Sequence, residues 1–117
     1  MTEDEMRAIV LSFPGVEEGS SYGKPAFKVN GKFLTRLRKD DASLVLTGVS
    51  FDEREMLMEA EPGTFHITAH YKDYPSVLAR MASLHPGSFR NFIERAWRKQ
   101  ASKAAVKAWD AARKAEA

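Results

Sequence analysis

Residues 26–38 read Ala-Phe-Lys-Val-Asn-Gly-Lys-Phe-Leu-Thr-Arg-Leu-Arg. Two runs rich in apolar residues flank Asn30-Gly31, the dipeptide that most readily adopts the positive φ angles of a two-residue type I′ turn. The pattern predicts a β-hairpin in which 26–29 pairs with 32–38.

The register of this hairpin has two interpretations. A plain two-residue turn places Phe27 beside Leu34 and puts Phe33 on the face of Lys28. A one-residue bulge separates charge from core better, so we favour it. In the bulged arrangement one face carries Phe27, Phe33, Thr35 and Leu37, and the other carries Lys28, Leu34, Arg36 and Arg38.

Helix and strand signals continue on both sides of the hairpin. Thr2 and Glu5 have the spacing of a capping box, which predicts a helix over 3–12 that ends at Pro14-Gly15. The run 76–84 fits a helix or a strand, and its short length between prolines favours a strand. The other predicted elements are strands at 43–47 and 64–69 and helices at 50–60, 86–99 and 101–117.

The resulting order is helix-β-β-β-helix-β-β-helix-helix. Hairpin connections and helices between strand groups predict an α+β fold, with a single antiparallel sheet of about five strands and helices packed on it. Within the last helix, Val106 and Trp109 are the large apolar residues. We therefore expect residues 102–117 to form a basic C-terminal helix that docks through Trp109 and frays at its end.

Composition narrows the class of protein. The chain has 117 residues, the size of one domain, and no cysteine. The absence of cysteine excludes disulfides, a thiolate nucleophile and an iron–sulfur cluster. The acidic start Met1-Thr2-Glu3-Asp4-Glu5 is unlike a secretory signal, and no apolar run is long enough for a membrane span. We expect one domain over 1–117 in a monomeric, cytoplasmic protein.

The net charge of +2 conceals strong segregation. Residues 23–39 hold six bases and no acid, whereas residues 40–63 hold seven acids against one base. Residues 98–117 hold six bases against two acids. Such asymmetry is typical of proteins with an anionic partner, and two solvated faces of opposite sign account for it equally well.

Several segments resemble the MmcQ/YjbR family. Its N-terminal half is matched by Phe13-Pro14-Gly15-Val16-Glu17-Glu18, Tyr22-Gly23-Lys24-Pro25-Ala26-Phe27-Lys28-Val29 and Gly31-Lys32-Phe33. Its C-terminal half is matched by Tyr74-Pro75-Ser76-Val77-Leu78-Ala79-Arg80-Met81 and by Phe92 with Ala96-Trp97-Arg98. The resemblance covers residues 5–100. It implies a CyaY-like α/β sandwich and a likeness to the double-wing DNA-binding domain of a phage transcription factor, and it transfers no catalytic or ligand residue.

The basic residues are the candidate nucleic-acid contacts. Lys28, Lys32, Arg36 and Arg38 could follow phosphates along the hairpin, with Lys24 and Lys39 at its ends. The double-wing likeness implies that the Asn30-Gly31 tip reaches a groove. Lys99, Lys103 and Lys107 recur every four residues and could add a second line of phosphate contacts.

Each basic set also has a purely structural interpretation. Lysine and arginine on an edge hairpin prevent strand-to-strand aggregation. Cations near a helix C-terminus favour the helix dipole on a solvated face.

Two functional hypotheses follow. The first is a small protein that contacts the phosphate backbone of double-stranded DNA through the basic hairpin; it predicts one positive surface that joins 28–39 to the C-terminal bases and is free of the acidic segment 40–61. The alternative is a non-enzymatic module that binds a protein or a small molecule; it predicts an exposed apolar patch or a pocket near Tyr71 and Tyr74.

Signals for catalysis, cofactors and metals are weak. The sequence contains no P-loop, no G-x-S-x-G and no G-x-G-x-x-G motif. His66 and His70 on one strand would lie roughly 13 Å apart, too far for one metal ion. His85 precedes Pro86 and is interpreted as a helix cap. We expect no enzyme activity, cofactor or metal.

Overall fold

The computed structural model describes residues 1–116. Its helices are α1 Glu3–Leu11, α2 Phe51–Ala60, α3 Pro86–Gln100 and α4 Lys103–Glu116. Its strands are β1 Val16–Ser21, β2 Lys24–Val29, β3 Lys32–Arg36, β4 Ser43–Thr47, β5 Phe65–His66 and β6 Ser76–Arg80. The α+β class is thus confirmed. Of the predicted helix 101–117, position 117 lies outside the described residues.

Strands β1, β2 and β3 form an antiparallel meander with two tight turns. Asn30 and Gly31 have φ angles of 54° and 73°, as a type I′ turn requires, so the predicted hairpin is confirmed. Tyr22 and Gly23 form a second such turn, with φ angles of 53° and 78°. Strand β1 was not predicted, because its sequence Val-Glu-Glu-Gly-Ser-Ser is polar and lies largely exposed at the sheet edge.

The β2–β3 pair contains the favoured one-residue bulge. Its position puts Phe33 and Leu34 on faces other than those expected. Phe27 pairs with Thr35 and Lys28 pairs with Phe33, so Leu34 is the extra residue. Phe33 therefore lies on the face of Lys28 and is 38% exposed, whereas Leu34 is fully buried. The expected positions of Phe33 and Leu34 were wrong, because the two-residue register persists from the turn to Phe33 and the shift comes only after it.

The second sheet has the order β4-β6-β5. It meets the first sheet at an isolated bridge between Leu37 and Leu44. Beyond that bridge, threonine hydroxyls take the place of backbone donors: Thr35 donates to the Val45 carbonyl at 2.7 Å, and Thr47 donates to the Leu34 carbonyl at 3.3 Å. The expected single sheet of about five strands is therefore two three-stranded sheets. We attribute the break to the bulge, which bends β3 away from a regular ladder.

The core lies between the sheets and the helices. It includes Phe27 of the first sheet, Leu46 of the second, Met6 of α1 and Trp97 of α3. Trp97 donates its indole N–H to the Pro14 carbonyl at 2.8 Å, which satisfies its buried donor.

Helix α4 docks on this core as predicted. The ring of Trp109 lies 5.2 Å from that of Phe13 and 5.4 Å from that of Trp97, measured between centroids. Among residues 1–116, no helix combines the length and the apolar character that a membrane span needs.

Helix starts follow the sequence signals. Thr2 and Glu5 form a reciprocal capping box on α1. The hydroxyl of Ser50 accepts from the Glu53 backbone N–H and caps α2. His85 Nδ1 accepts from the Gly87 N–H at 3.0 Å and caps α3, as expected.

Candidate functional site

The tip of the β2–β3 hairpin lies against the end of α3. The Asn30 side-chain amide donates to the Gln100 carbonyl at 3.2 Å, a contact between residues 70 positions apart. Lys32 is two residues from Asn30, and Lys99 and Lys103 flank Gln100. We call Lys32, Lys99, Lys103 and Lys107 the junction surface.

Three of the four junction lysines border a groove between α3 and α4, and Lys32 lies at the hairpin tip outside it. This groove has a volume of about 700 Å³ and is lined by Lys99, Lys103 and Lys107 together with Asp110. None of the ion pairs in the described part of the chain involves a junction lysine. Their charges are therefore available to an anion.

The other hairpin bases are placed differently. Arg38, 14% exposed at its side chain, pairs with Asp41 at 2.8 Å and with Asp40 at 3.8 Å. Arg36 donates to the Tyr71 hydroxyl at 2.9 Å, and Lys24 lies 3.7 Å from Glu3. The predicted positive track along 28–39 is thus interrupted at Arg38 by its own sequence neighbours.

Neither Lys28 nor Lys39 lines the α3–α4 groove. Lys28 is exposed on the outer face of the first sheet, where Glu17 is its cross-strand neighbour. Lys39 is exposed at the end of the hairpin, beside Arg38 and Asp40.

The acidic segment approaches the junction surface on one side. Arg95 of α3 forms a bidentate pair with Glu53 of α2, with both distances 2.8 Å. The hydrogen bonds from Arg95, and more weakly the charge of Lys99, lower the pKa of Glu53. The surface is therefore not free of the segment 40–61, contrary to the expectation for a continuous DNA track.

Two further bases hold α3 and α4 together. Arg98 bonds Asp110 at 2.7 Å and Glu94 at 3.1 Å, and Arg113 lies 3.7 Å from Glu94. The hydrogen bonds from Arg98 lower the pKa of Asp110. Within the described residues, these pairs leave the four junction lysines and Lys114 of the same groove without an ion-pair partner.

A cleft lies on the outer face of the second sheet, beneath the segment 67–75. One lobe, of about 420 Å³, is lined by Phe33, Tyr71, Tyr74 and Ser76 among others. We call it the aromatic lobe. It is the pocket near Tyr71 and Tyr74 that the interaction-module hypothesis predicts.

The second lobe of the cleft is cationic. It has a volume of about 490 Å³ and is lined by Arg36, Arg38 and Lys39, with Asp40 as its acid. His70 and Tyr71 line both lobes, and their rings meet edge to face at 4.7 Å. We call this the cationic lobe.

Arg54 of α2 fixes the wall of the aromatic lobe. Its guanidinium donates to the carbonyls of Lys72, Tyr74 and Ser76 at 3.0–3.2 Å. In the sequence Arg54 is a single base among acids, and nothing in the local pattern shows that it is buried.

Ser43, His66 and Asp41 form a cluster that superficially resembles a hydrolase triad. Ser43 Oγ lies 2.8 Å and Asp41 Oδ2 lies 3.7 Å from the same ring nitrogen, His66 Nε2. A proton relay needs the hydroxyl and the carboxylate on opposite ring nitrogens. Ser43 is also fully buried, so the cluster is structural.

The histidines are placed apart. His66 is in β5, whereas His70 lies in the segment after it. Across residues 1–116, no three side chains of the metal-ligating types are grouped to hold an ion.

Comparison with known protein families identifies the family of this chain. The model of the family described as YjbR matches residues 11–99. The chain belongs to the YjbR family. The resemblance found in the sequence is thereby confirmed, and the family match includes Lys32 and Lys99 but ends before Lys103 and Lys107.

Two curated mycobacterial proteins are similar to most of the chain. The chain is 30% identical over 92 residues to the uncharacterized protein Rv2570 of Mycobacterium tuberculosis and to the uncharacterized protein Mb2600 of Mycobacterium bovis. Each alignment covers 76% of this chain and 71% of the relative. No solved structure matches the chain significantly.

Proposed function

We propose that this YjbR-family protein binds double-stranded DNA through the phosphate backbone, with the junction surface as its contact. The Asn30–Gln100 hydrogen bond carries the proposal, because it joins the hairpin tip to the helices that bear the C-terminal lysines. No catalytic step is part of it.

The proposal uses fewer bases than the sequence indicated. Arg38 is left out because Asp40 and Asp41 neutralise it, and Arg36 because it lines the cationic lobe of the cleft and not the junction surface. Lysine contacts to phosphate position a protein but carry no sequence information, so the expected binding is sequence-independent.

Four phosphate contacts set the expected salt dependence. Each neutralised phosphate releases counterions, which gives a slope of about −3.6 for four contacts on duplex DNA. A fourfold rise in salt concentration should then weaken binding by about a hundredfold.

Fluorescence anisotropy with a random-sequence duplex at low and physiological salt tests the proposal. The Lys103→Glu/Lys107→Glu variant should bind at least about tenfold more weakly at low salt, because two contacts become repulsive. Lys32→Glu should weaken binding in the same direction.

The matched control is Lys72→Glu/Arg90→Glu, which changes the net charge equally at exposed positions outside the junction surface. It should bind nearly as well as the wild type. Absence of binding at low salt, or an equal loss in both double variants, would overturn the proposal.

A further inference from the structure

The two lobes of the cleft adjoin, one with an aromatic lining and the other with a cationic lining. They share the side chains of His70 and Tyr71, and each lobe has the volume of a small-molecule pocket. A ligand that spans both lobes would place a ring among aromatic side chains and an anionic group beside Arg36 and Lys39.

A buried hydroxyl in the aromatic lobe has no partner. Ser76 is 4% exposed, and its Oγ makes no hydrogen bond within the described residues. Burying a hydroxyl without a partner costs free energy, and such groups in native proteins call for an explanation. Because Ser76 lines the lobe, a polar atom of a bound ligand would supply the missing bond.

The aromatic walls are exposed in the protein as it stands. Phe33 and the 58%-exposed Tyr74 both line the lobe and face solvent. Three carbonyl contacts from Arg54 hold the segment that carries Tyr74, so this wall is fixed in place. A planar ring bound there would cover apolar surface against a rigid platform.

In the cationic lobe Arg38 is already paired with a carboxylate, whereas Arg36 and Lys39 can still bond a ligand. Arg38 is paired with Asp41 and lies 5.8 Å above the Tyr71 ring. Arg36 uses one nitrogen for the Tyr71 hydroxyl, and Lys39 is exposed. Asp40 lines the same lobe, so the charge balance suits one carboxylate better than a polyanion.

From this arrangement we infer that the cleft binds a small aromatic carboxylate that carries a second polar substituent. The carboxylate bonds the Arg36 guanidinium and Lys39, the ring lies among Phe33, Tyr71 and Tyr74, and the distal polar group bonds Ser76 Oγ. Arginine is well suited to planar carboxylates because its N–H groups form a matching fork. The site uses none of the four junction lysines, although its aromatic lobe also borders Gln100, to which the hairpin tip is bonded.

Proton–nitrogen correlation NMR with three naphthalene probes tests the inference: 6-hydroxy-2-naphthoate, its neutral amide, and 2-naphthoate, which lacks the hydroxyl. The hydroxylated carboxylate should shift backbone signals of 67–76 and of Phe33. It should bind about tenfold more tightly than the amide, as expected for one charge-assisted hydrogen bond.

Three variants assign the roles. Arg36→Gln should abolish the difference between carboxylate and amide, and Lys39→Gln, an exposed change that leaves the fold unaltered, should reduce it at least about threefold. Ser76→Ala should abolish the preference for the hydroxylated acid over 2-naphthoate without lowering stability, because it removes an unsatisfied hydroxyl.

Lys103→Gln is the matched control, since it removes a cation of the junction surface and should leave probe affinity unchanged. Equal binding of carboxylate and amide to the wild type would overturn the inference. So would signal shifts confined to the α3–α4 groove, or a charge preference that survives in both Arg36→Gln and Lys39→Gln.

Discussion

At the scale of single residues, Arg54 has a structural role that its surroundings in the sequence conceal. It is 9% exposed, bonds three backbone carbonyls of 72–76, and stacks over the Phe51 ring at 4.8 Å. Carbonyl dipoles, and not a carboxylate, compensate its charge. Arg54 thus connects α2 to the wall of the cleft.

Replacing Arg54 tests this role. Arg54→Leu should lower the free energy of unfolding by about 3 kcal/mol, because three carbonyls lose a charged donor. Arg54→Lys should recover part of the loss, since one ammonium cannot reach all three carbonyls in the same geometry. Urea denaturation measures both values. Arg90→Leu, at an exposed position, should change stability by no more than about 0.5 kcal/mol, and a similar small effect at Arg54 would contradict the assigned role.

His66 is the residue that should make stability pH-dependent near neutrality. Burial, followed by the charge of Arg80, lowers its pKa, and Asp41 offsets this in part. The unfolded chain therefore binds a proton more readily than the folded chain. Stability is lost as the pH falls through the unfolded pKa, and the loss is complete below the folded pKa.

The pH prediction follows directly. The denaturation midpoint of the wild-type protein should decrease as the pH is lowered from about 7.5 to about 5.5. His66→Gln should remove this part of the pH dependence. His70→Gln, in the exposed segment, is the control and should behave like the wild type. An unchanged pH profile in His66→Gln would show that another group titrates.

At the scale of elements, the hairpin shows how far local signals extend. Turn chemistry predicts Asn30-Gly31 because only a few residues accept positive φ there. The same reasoning did not locate the bulge, since its position depends on whether Phe33 or Leu34 fills the core. Leu34 is buried and Phe33 is left in the cleft, an outcome set by packing between the sheets.

The turn can be tested with a pair of glycines. Gly31→Ala should destabilise the protein by about 1–2 kcal/mol, because φ is 73° there. Gly63→Ala should be neutral or slightly stabilising, because φ at Gly63 lies outside the left-handed region and no atom lies within 4 Å of the added carbon. Thermal denaturation of both variants measures the difference. Equal effects would show that the turn is not under conformational constraint.

At the scale of the whole molecule, the two sheets share one cluster of buried side chains. Phe27 and Leu34 of the first sheet and Leu44 and Val77 of the second belong to it. Because both sheets contribute side chains to this one cluster, we expect them to unfold together.

Unfolding midpoints measured with two spectroscopic probes test this expectation. Tryptophan fluorescence, which reports Trp97 and Trp109, and far-ultraviolet circular dichroism should give the same midpoint. Leu44→Ala, which creates a cavity at a fully buried position, should lower both midpoints equally, at a cost of about 3 kcal/mol. A shift in one probe alone would indicate two separately unfolding units.

Family membership, the hairpin, the capped helices and the strand at 76–80 could all be predicted from sequence. These features depend on turn chemistry, side-chain period and capping groups, which act within a few residues along the chain. A pocket near Tyr71 and Tyr74 was predicted only by the alternative, interaction-module hypothesis, and without Ser76, Phe33 or Arg36 as its lining.

Tertiary structure alone decided which charges are free and what they lie beside. Arg95 is paired with Glu53, Arg54 is buried, and the hairpin tip is bonded to Gln100 across 70 residues of chain. It also divided the expected single sheet in two, by placing threonine hydroxyls where a ladder would continue. The physical reason is the same in each case: local backbone preferences set the elements, whereas contacts between distant residues exist only after packing has brought them together.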